Sequence, residues 1–235
     1  MKIDTQTPLK TYLEPVIFES LLSLDNQHIL ELGCGDATLT RIIASTGENR
    51  TITATEVDTI QHQKNELIDD LPRVTFKLAG CENIPAPDDT FDTVFMFKSL
   101  HHVPGQLLGK ALKEIKRVLK PDGLAYISEP IFSGDFNEIL CLFHHEEVVR
   151  KAVFDALEKA VKTGTFMLVE ERFFNTLISF ENFEQFSENV IGSTHSQHNL
   201  SAELLSEVKQ KFNDLFSKNG GDFTIPIRVD LLRIS

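Results

Sequence analysis

The stretch HILELGCGDATLT, residues 28–40, decides how the chain folds. Ile29, Leu30 and Leu32 make a short apolar run that stops at Gly33-Cys34-Gly35, and Leu39, Ile42 and Ile43 then recur at helical spacing. Such a sequence reads as a buried strand turning into a helix. Glycine at the junction tolerates positive φ and lets bare backbone approach a ligand. Asp36 stands at the helix start, where a short acidic side chain caps orphan amides.

The same alternation continues outward. Residues 51–56, 74–78, 91–97 and 124–128 read as strands, and residues 59–70 and 106–119 as the helices between them. Before the glycine turn, residues 8–24 show helical spacing broken at Pro15. Strands separated by single helices imply right-handed βαβ units, hence a parallel sheet covered on both faces. Ligands of such sheets sit beyond the carboxyl ends of the strands, which singles out Gly33 and Glu56. After Pro130 the texture changes. Residues 136–162 read as one long helix, 166–179 as an extended segment, 181–191 and 201–218 as further helices, and FTIPIRVDLLRI, residues 223–234, as a last strand.

Composition narrows the function. The 235 residues are 41% hydrophobic and 25% charged, so a packed core is expected. Asp and Glu number 35 against 23 Lys and Arg, for a net charge of -12, a field that repels a phosphate backbone and argues against nucleic acid. With no basic-then-apolar leader and no apolar run near the roughly 18 residues that span a bilayer, a soluble cytoplasmic protein with no membrane partner is expected, as monomer or homodimer. Cys34, Cys81 and Cys141 lack CxxC spacing, which fits a reducing compartment. In CLFHHEEVVR, residues 141–150, adjacent residues of a helix diverge by about 100°. His144 and His145 then face different ways, and Cys141 and His145 share a face without a third ligand. No metal is expected.

The glycine turn departs from the G-x-G-x-x-G of dinucleotide folds, because Thr38 fills the third glycine position. Asp36 also opposes a pyrophosphate at this helix start. Glu56 lies 21 residues after Gly35 (56 minus 35), the offset of an acid that accepts from ribose hydroxyls. A phosphate-free adenosine carrying a positive centre fits these features. Four blocks, LELGCGDAT, TATEVD, AGCENIPAPDDTFDTVFMFKSLHHV and RVLKPDGLAYISEP, resemble in order and spacing a class I S-adenosylmethionine-dependent methyltransferase of the small-molecule branch. The resemblance runs from about Gln27 to Pro130.

That resemblance implies an α/β fold: a Rossmann-like, doubly wound, mostly parallel seven-stranded sheet with a helical cap inserted before the last strand. One domain is expected, with residues 1–26 as an N-terminal helical lid, 27–130 as the cofactor-binding core, 131–221 as a largely helical substrate cap and 222–235 as the final strand. The resemblance further implies S-adenosylmethionine as cofactor. Glu31 would hold its amino group, and Gly33, Cys34 and Gly35 would give backbone approach to its methionine part. Glu56 would take the ribose hydroxyls and Val57 would lie against adenine. Cys81 would meet the adenine ring through its amide, with Glu82 beside it. Phe97 and Lys98 would border the cofactor through their main chain, and Tyr12 on the N-terminal helix would fold over it. Gly80 departs from the family's frequent Asp, which leaves the adenine amino group to Glu82 or a carbonyl.

Methyl transfer needs a positioned nucleophile first and a general base only where the acceptor loses a proton. His101 and His102 after the fourth strand and Glu129 at the end of the fifth are the candidates for that base. Of 18 phenylalanines, 13 follow Pro130, enough to build an apolar cap over a small organic acceptor. Two other readings remain open: a non-catalytic S-adenosylmethionine-binding sensor or partner subunit, and an NAD(P)-dependent oxidoreductase. Against the latter, neither Tyr12 nor Tyr126 has Lys at i+4.

Overall fold

The computed structural model describes residues 1–5, 7–192 and 200–234; the expected cap residues 193–199 and the terminal Ser235 lie outside them. Among the described residues, a seven-stranded sheet has the order β3-β2-β1-β4-β5-β7-β6. Its strands are β1 (His28–Leu32), β2 (Thr51–Glu56), β3 (Val74–Leu78), β4 (Phe91–Phe97), β5 (Leu119–Pro130), β6 (Phe166–Ser179) and β7 (Asp222–Ile234). The pairs among β1 to β5 are parallel, while β7 runs antiparallel to both β5 and β6. The expected doubly wound, mostly parallel sheet is therefore present.

Alternation along the strands sends successive side chains to opposite faces. Leu30, Leu32, Val94 and Met96 pack with Leu112 and Ile115 of α4 (Leu108–Val118) on one face. Ile29, Phe95 and Phe97 pack on the other with Phe18 of α1 (Glu14–Leu21) and Ile43 of α2 (Thr38–Ser45). A helix α3 (Thr59–Asn65) joins β2 to β3 and starts on Asp58, whose carboxylate accepts from the amides of Ile60 and Gln61. Leu32 pairs with Thr55, Glu31 with Phe95 and Phe97 with Ser128. These registers bring the carboxyl ends of β1, β2, β4 and β5 to one edge.

Three expectations need correction. The N-terminal helix starts at Glu14, with Pro15 inside its first turn where a missing N–H costs nothing, so Pro15 begins the helix rather than kinking it. Tyr12 lies before that helix: its amide donates to the Asn175 carbonyl at 2.9 Å, against β6. The long helix expected over 136–162 is two, α5 (Asp135–Leu140) and α6 (Glu147–Lys162), separated by a turn. Residues 131–221, the stretch expected as a largely helical cap, pack in more than one place. β6 completes the sheet, and Val153, Leu157 and Ala160 of α6 join the α4 face of the core. What stands apart is a cluster formed by α5, α7 (Phe183–Phe186), the wide turn 187–191 and α8 (Ala202–Asn219).

Phenylalanine holds that cluster together. Phe212 is 1% exposed and its ring centroid lies 5.0 Å from Phe186, 5.3 Å from Phe223 and 5.6 Å from Phe183. Phe212→Ala should cost about 3–5 kcal/mol, the usual penalty for emptying a buried aromatic site. Because this cluster is separate from the two faces of the sheet, hydrogen exchange should show α7 and α8 opening well before β1 to β4. Uniform loss of protection would show instead that the cluster and the sheet unfold as one unit.

Candidate functional site

The glycine turn at the end of β1 is fixed from the neighbouring strand. Gly33 and Gly35 have φ of 72° and 54°, and the amides of Gly33 and Cys34 both donate to the Thr55 carbonyl at 2.9 Å. A Cβ on Gly33 would stand 2.9 Å from Cβ of Ser99, so the turn and the β4 end pack without room for a side chain. Over Gly35 a Cβ would meet nothing within 4 Å, which leaves bare backbone facing open space. Asn65 Nδ2 donates to the Gly35 carbonyl at 2.7 Å, a contact that no local pattern announced. Asp36 accepts from the Thr38 amide at 3.0 Å and closes a turn just before α2, whose cap position is held by Ala37 at φ of 64° and not by the expected Asp36. Burial, helped by Glu31 and Glu56, pushes the Cys34 thiol far up, so it stays protonated and is no nucleophile.

Glu56 closes the turn from β2. One carboxylate oxygen accepts from the Gly35 amide at 2.8 Å, and the other from the amides of Val57 and Asp58 at 2.8 and 3.0 Å. Val57 itself is 66% exposed at the rim, an apolar side chain held in the open. Glu31 is buried one register away, accepting from the Thr40 hydroxyl at 2.6 Å. Burial raises its pKa to about 8, against the opposing pull of Thr40.

Cys81 is buried and Glu82 lies beside Gly80. A Cβ on Gly80 would run into the Glu82 carboxylate, only 2.7 Å from its Cδ. Glu82 therefore fills the space that a longer residue at position 80 would occupy. Phe97 stacks on Phe95 at 4.9 Å in the apolar core, so only its main chain reaches the strand edge. Lys98 follows with φ of 51°, an uncommon geometry for a long side chain, and pairs with Glu14 at 3.6 Å. Tyr12 lies on the β6 side, its amide on the Asn175 carbonyl.

These residues fit the cofactor that the resemblance implies. Its methionine part needs bare backbone, which Gly35 offers, and its ribose needs a carboxylate beside that turn, which Glu56 offers. Its adenine needs an apolar edge and an acceptor, which Val57 and Glu82 could supply.

A second group assembles beside it from three elements distant in sequence. His101, in a short turn after β4, places Nδ1 at 2.5 Å from Glu129 Oε2, and Glu129 Oε1 accepts from the Leu100 amide at 2.9 Å. The other face of His101 meets Glu146, with Nε2 3.6 Å from Oε1. Glu146 precedes α6 and is held by Arg150 at 2.6 Å and His144 at 2.7 Å. Burial works to raise the pKa of Glu146, but His101 and Arg150 outweigh it and hold the carboxylate low. The His102 ring lies 4.1 Å from that of His101, tilted by 44°, and although the residue as a whole is exposed, desolvation of its ring with that neighbour lowers its pKa to about 4.

Sequence reasoning found His101, His102 and Glu129 but missed Glu146 and Arg150. It treated residues 141–150 as one helix, whereas α6 begins only at Glu147. A cavity of about 290 Å³ opens on this group, lined by the polar Lys98, His101, His102, Asn137, Glu146 and Arg150 and by the apolar Ile131, Phe136, Leu140, Phe143 and Ile225.

Known proteins share this core. Residues 29–123 match the family model described as a methyltransferase domain. The tRNA U34 carboxymethyltransferase of Nautilia profundicola is 27% identical over 67% of this chain and 54% of its own length. The sterol 4-C-methyltransferase strm-1 of Caenorhabditis elegans is 33% identical over 52% of this chain and 36% of its own. The chain thus spans about half or less of the length of these curated relatives. In fold, the YcgJ protein of Bacillus subtilis superposes with a TM-score of 0.63 at 13% identity, covering 94% of this chain and 97% of that one. The [4+2]-cyclase SpnF superposes at 0.60 and 18% identity, covering 94% and 79%. At such identities these structures speak for the fold alone.

Glu31 gives the site a measurable pH signature. The folded chain holds a proton on Glu31 up to about pH 8, while the free carboxyl releases it near 4.5. That stabilising difference is fully present below pH 4.5 and is lost as pH rises to about 8. Glu31→Gln removes the loss, so relative to wild type it should gain stability, on the order of a few kcal/mol, between pH 5 and 8. Urea midpoints at several pH values measure the gap; a gap independent of pH would mean that Glu31 is ionised in the folded chain.

Proposed function

We propose that this chain, a member of the class I S-adenosylmethionine-dependent methyltransferases, moves the cofactor's methyl group to a small organic acceptor bound between the phenylalanine-rich cap and the histidine group. The carrying observation is the junction at Lys98-Ser99. Ser99 packs against Gly33 of the glycine turn, while Lys98 lines the 290 Å³ cavity, so cofactor crevice and cavity share one strand end. The cavity's apolar side chains, interleaved with polar and charged ones, suit a small organic acceptor with a hydrocarbon part and an oxygen or nitrogen to be methylated.

When bound, S-adenosylmethionine supplies a methyl carbon on a sulfonium that departs as a neutral thioether with the C–S electron pair. The chain's own task is then to hold the acceptor in line and keep water out. Phe136, Leu140 and Phe143 cover its body. His101, His102 and Glu146 hold the atom that gains the methyl and gives up a proton, and Glu129 is a positioning residue that fixes the His101 ring. In this reading Glu56 holds the ribose, Glu82 answers the adenine amino group in place of an acid at Gly80, and Val57 covers the ring. The net charge of -12 and the small cavity favour a small molecule over nucleic acid. The free thiols of Cys34, Cys81 and Cys141 agree with a cytoplasmic setting, and among the described residues no helix is long and apolar enough to cross a membrane. The filled space at Gly80 speaks against a decayed, non-catalytic cofactor site, and Asp36 at the helix start against a dinucleotide.

Calorimetry with S-adenosylmethionine tests the cofactor assignment. Glu56→Ala should weaken binding roughly 100-fold or more, because two hydrogen bonds to a charged acceptor are lost at about 1.5–3 kcal/mol each. Glu82→Ala should cost roughly 10-fold, one such bond. Wild-type affinity in both would remove these residues from the site. Release of S-adenosylhomocysteine across a panel of apolar alcohols, phenols and amines tests the acceptor class; turnover confined to RNA would overturn it.

A further inference from the structure

We propose that His101, His102 and Glu146 form a binding site for a divalent transition-metal cation on the acceptor cavity. One ligating atom from each of the three lies within 4.8 Å of the other two. They arrive from a turn after β4 and from the residue that precedes α6, so the tertiary fold, and no local motif, brings them together.

The separation of His101 and Glu146 is that of two ligands around an ion. His101 Nε2 and Glu146 Oε1 stand 3.6 Å apart, too far for a hydrogen bond. Two ligands each about 2.1 Å from a tetrahedral ion lie about 3.4 Å from one another. The His101 ring is also supported as metal-binding imidazoles are. Its Nδ1 is bound to the Glu129 carboxylate at 2.5 Å, and Glu129 is itself anchored on the Leu100 amide. A carboxylate on the far ring nitrogen fixes the tautomer, turns Nε2 outward as an acceptor and raises its basicity.

Glu146 is prepared in a similar way. Arg150 engages its Oε2 from Nη2 at 2.6 Å and from Nε at 3.2 Å, which leaves Oε1 turned to the histidines. His144 Nε2 also reaches Oε1, at 2.7 Å, and stands at the margin of the site. Glu129 and Glu146 together carry two negative charges against one from Arg150, so the immediate surroundings favour a cation. Lys98, also on the cavity, is drawn towards Glu14 at 3.6 Å.

Two imidazoles and one carboxylate are ligands suited to zinc, manganese, iron or cobalt rather than magnesium or calcium. Three protein ligands leave coordination positions open, and they face the cavity of about 290 Å³. An oxygen of the acceptor bound there would be positioned and made more acidic, its proton leaving to water before the lone pair forms the new bond. That role rests on the methyl-transfer reading. The binding of the ion does not.

The full chain, stripped with a chelator, is titrated with Co²⁺ and followed by visible absorption, then with Zn²⁺ by calorimetry. The expected result is one ion per chain with ligand-field bands of a low-coordinate site. His102→Ala and Glu146→Gln should abolish the bands, and Glu129→Gln should weaken binding about 10–100-fold, as loss of a supporting carboxylate does. His145→Ala, on a side chain 54% exposed in the same turn, should leave the titration unchanged. A wild-type chain that takes up no ion, or one whose binding survives all three substitutions, overturns the proposal and leaves a purely charge-paired histidine network. S-adenosylmethionine affinity, measured on the same samples, separates the two readings. Ion binding without cofactor binding keeps the metal site and removes methyl transfer; cofactor binding without an ion does the reverse.

Discussion

The arrangement depends on the carboxylate of Glu56. Three amides from two different loops, those of Gly35, Val57 and Asp58, converge on its two oxygens at 2.8 to 3.0 Å. Charge-assisted bonds of this kind are about twice as strong as neutral ones. They tie the glycine turn after β1 to the end of β2, which the Thr55 carbonyl has already brought together through Gly33 and Cys34. A turn held at positive φ by two glycines would otherwise be the least ordered piece of the sheet edge. The acid that is proposed to receive the ribose is thus also the brace that shapes the neighbouring cradle. Structure and recognition rest on one side chain, and the second cannot be altered without disturbing the first.

The cavity beside that turn is built on another plan. Glu129 ends β5, His101 follows β4, and Glu146 comes from a turn on the far side of α5. The first two are neighbours because β4 and β5 pair in parallel, with Phe97 opposite Ser128. Glu146 joins them because α6 packs against α4 through Val153, Leu157 and Ala160, which puts its first turn over the strand ends. Apolar burial on one face of α6 therefore sets the position of a carboxylate at its start. The polar group is costly to assemble, since Glu129 and Glu146 are only 4% and 8% exposed, and burying unpaired carboxylates would be strongly unfavourable. Arg150, His101 and the Leu100 amide offset that cost.

What the sequence disclosed follows the range of the forces involved. Strands β1 to β4 and the acid at position 56 were readable because burial periodicity and a glycine turn are local signals. The division of residues 136–162 was not. Phe136, Ile139, Leu140 and Phe143 continue a helical spacing towards Val149, and nothing local marks a stop. The break comes from distant partners: the Arg150 guanidinium reaches the Ile131 carbonyl and Asn137 as well as Glu146. Tyr12 was misplaced for a related reason. Helical spacing before Pro15 looked continuous, yet backbone bonds between residues 10–12 and Asn175 of the edge strand prevailed over propensity. At Gly80 the sequence posed the right question, whether a nearby acid substitutes, and only side-chain packing placed Glu82 in the space concerned.

The two halves of the site differ in how far kinship informs them. The methyltransferase domain match ends at residue 123, and it contains the glycine turn, Glu56, Glu82 and the strand end at Lys98. Of the cavity it contains only Lys98, His101 and His102; the remaining wall, from Pro130 to Ile225, lies beyond it. Relatives that share the first part differ in what their names say they act on, a tRNA in one and a sterol in another. The same sheet also carries a cyclase, so the fold by itself fixes no reaction. Under the proposed reading the acceptor's surroundings come largely from residues 131–225, which hold 13 of the 18 phenylalanines, with Phe136 and Phe143 on the cavity itself. A cavity that mixes such apolar side chains with Asn137, Glu146 and Arg150 selects by charge as well as by shape. On the proposed reading, His101, His102 and Glu146 would meet the acceptor's reacting atom, while the residues beyond 123 would shape the space around its body.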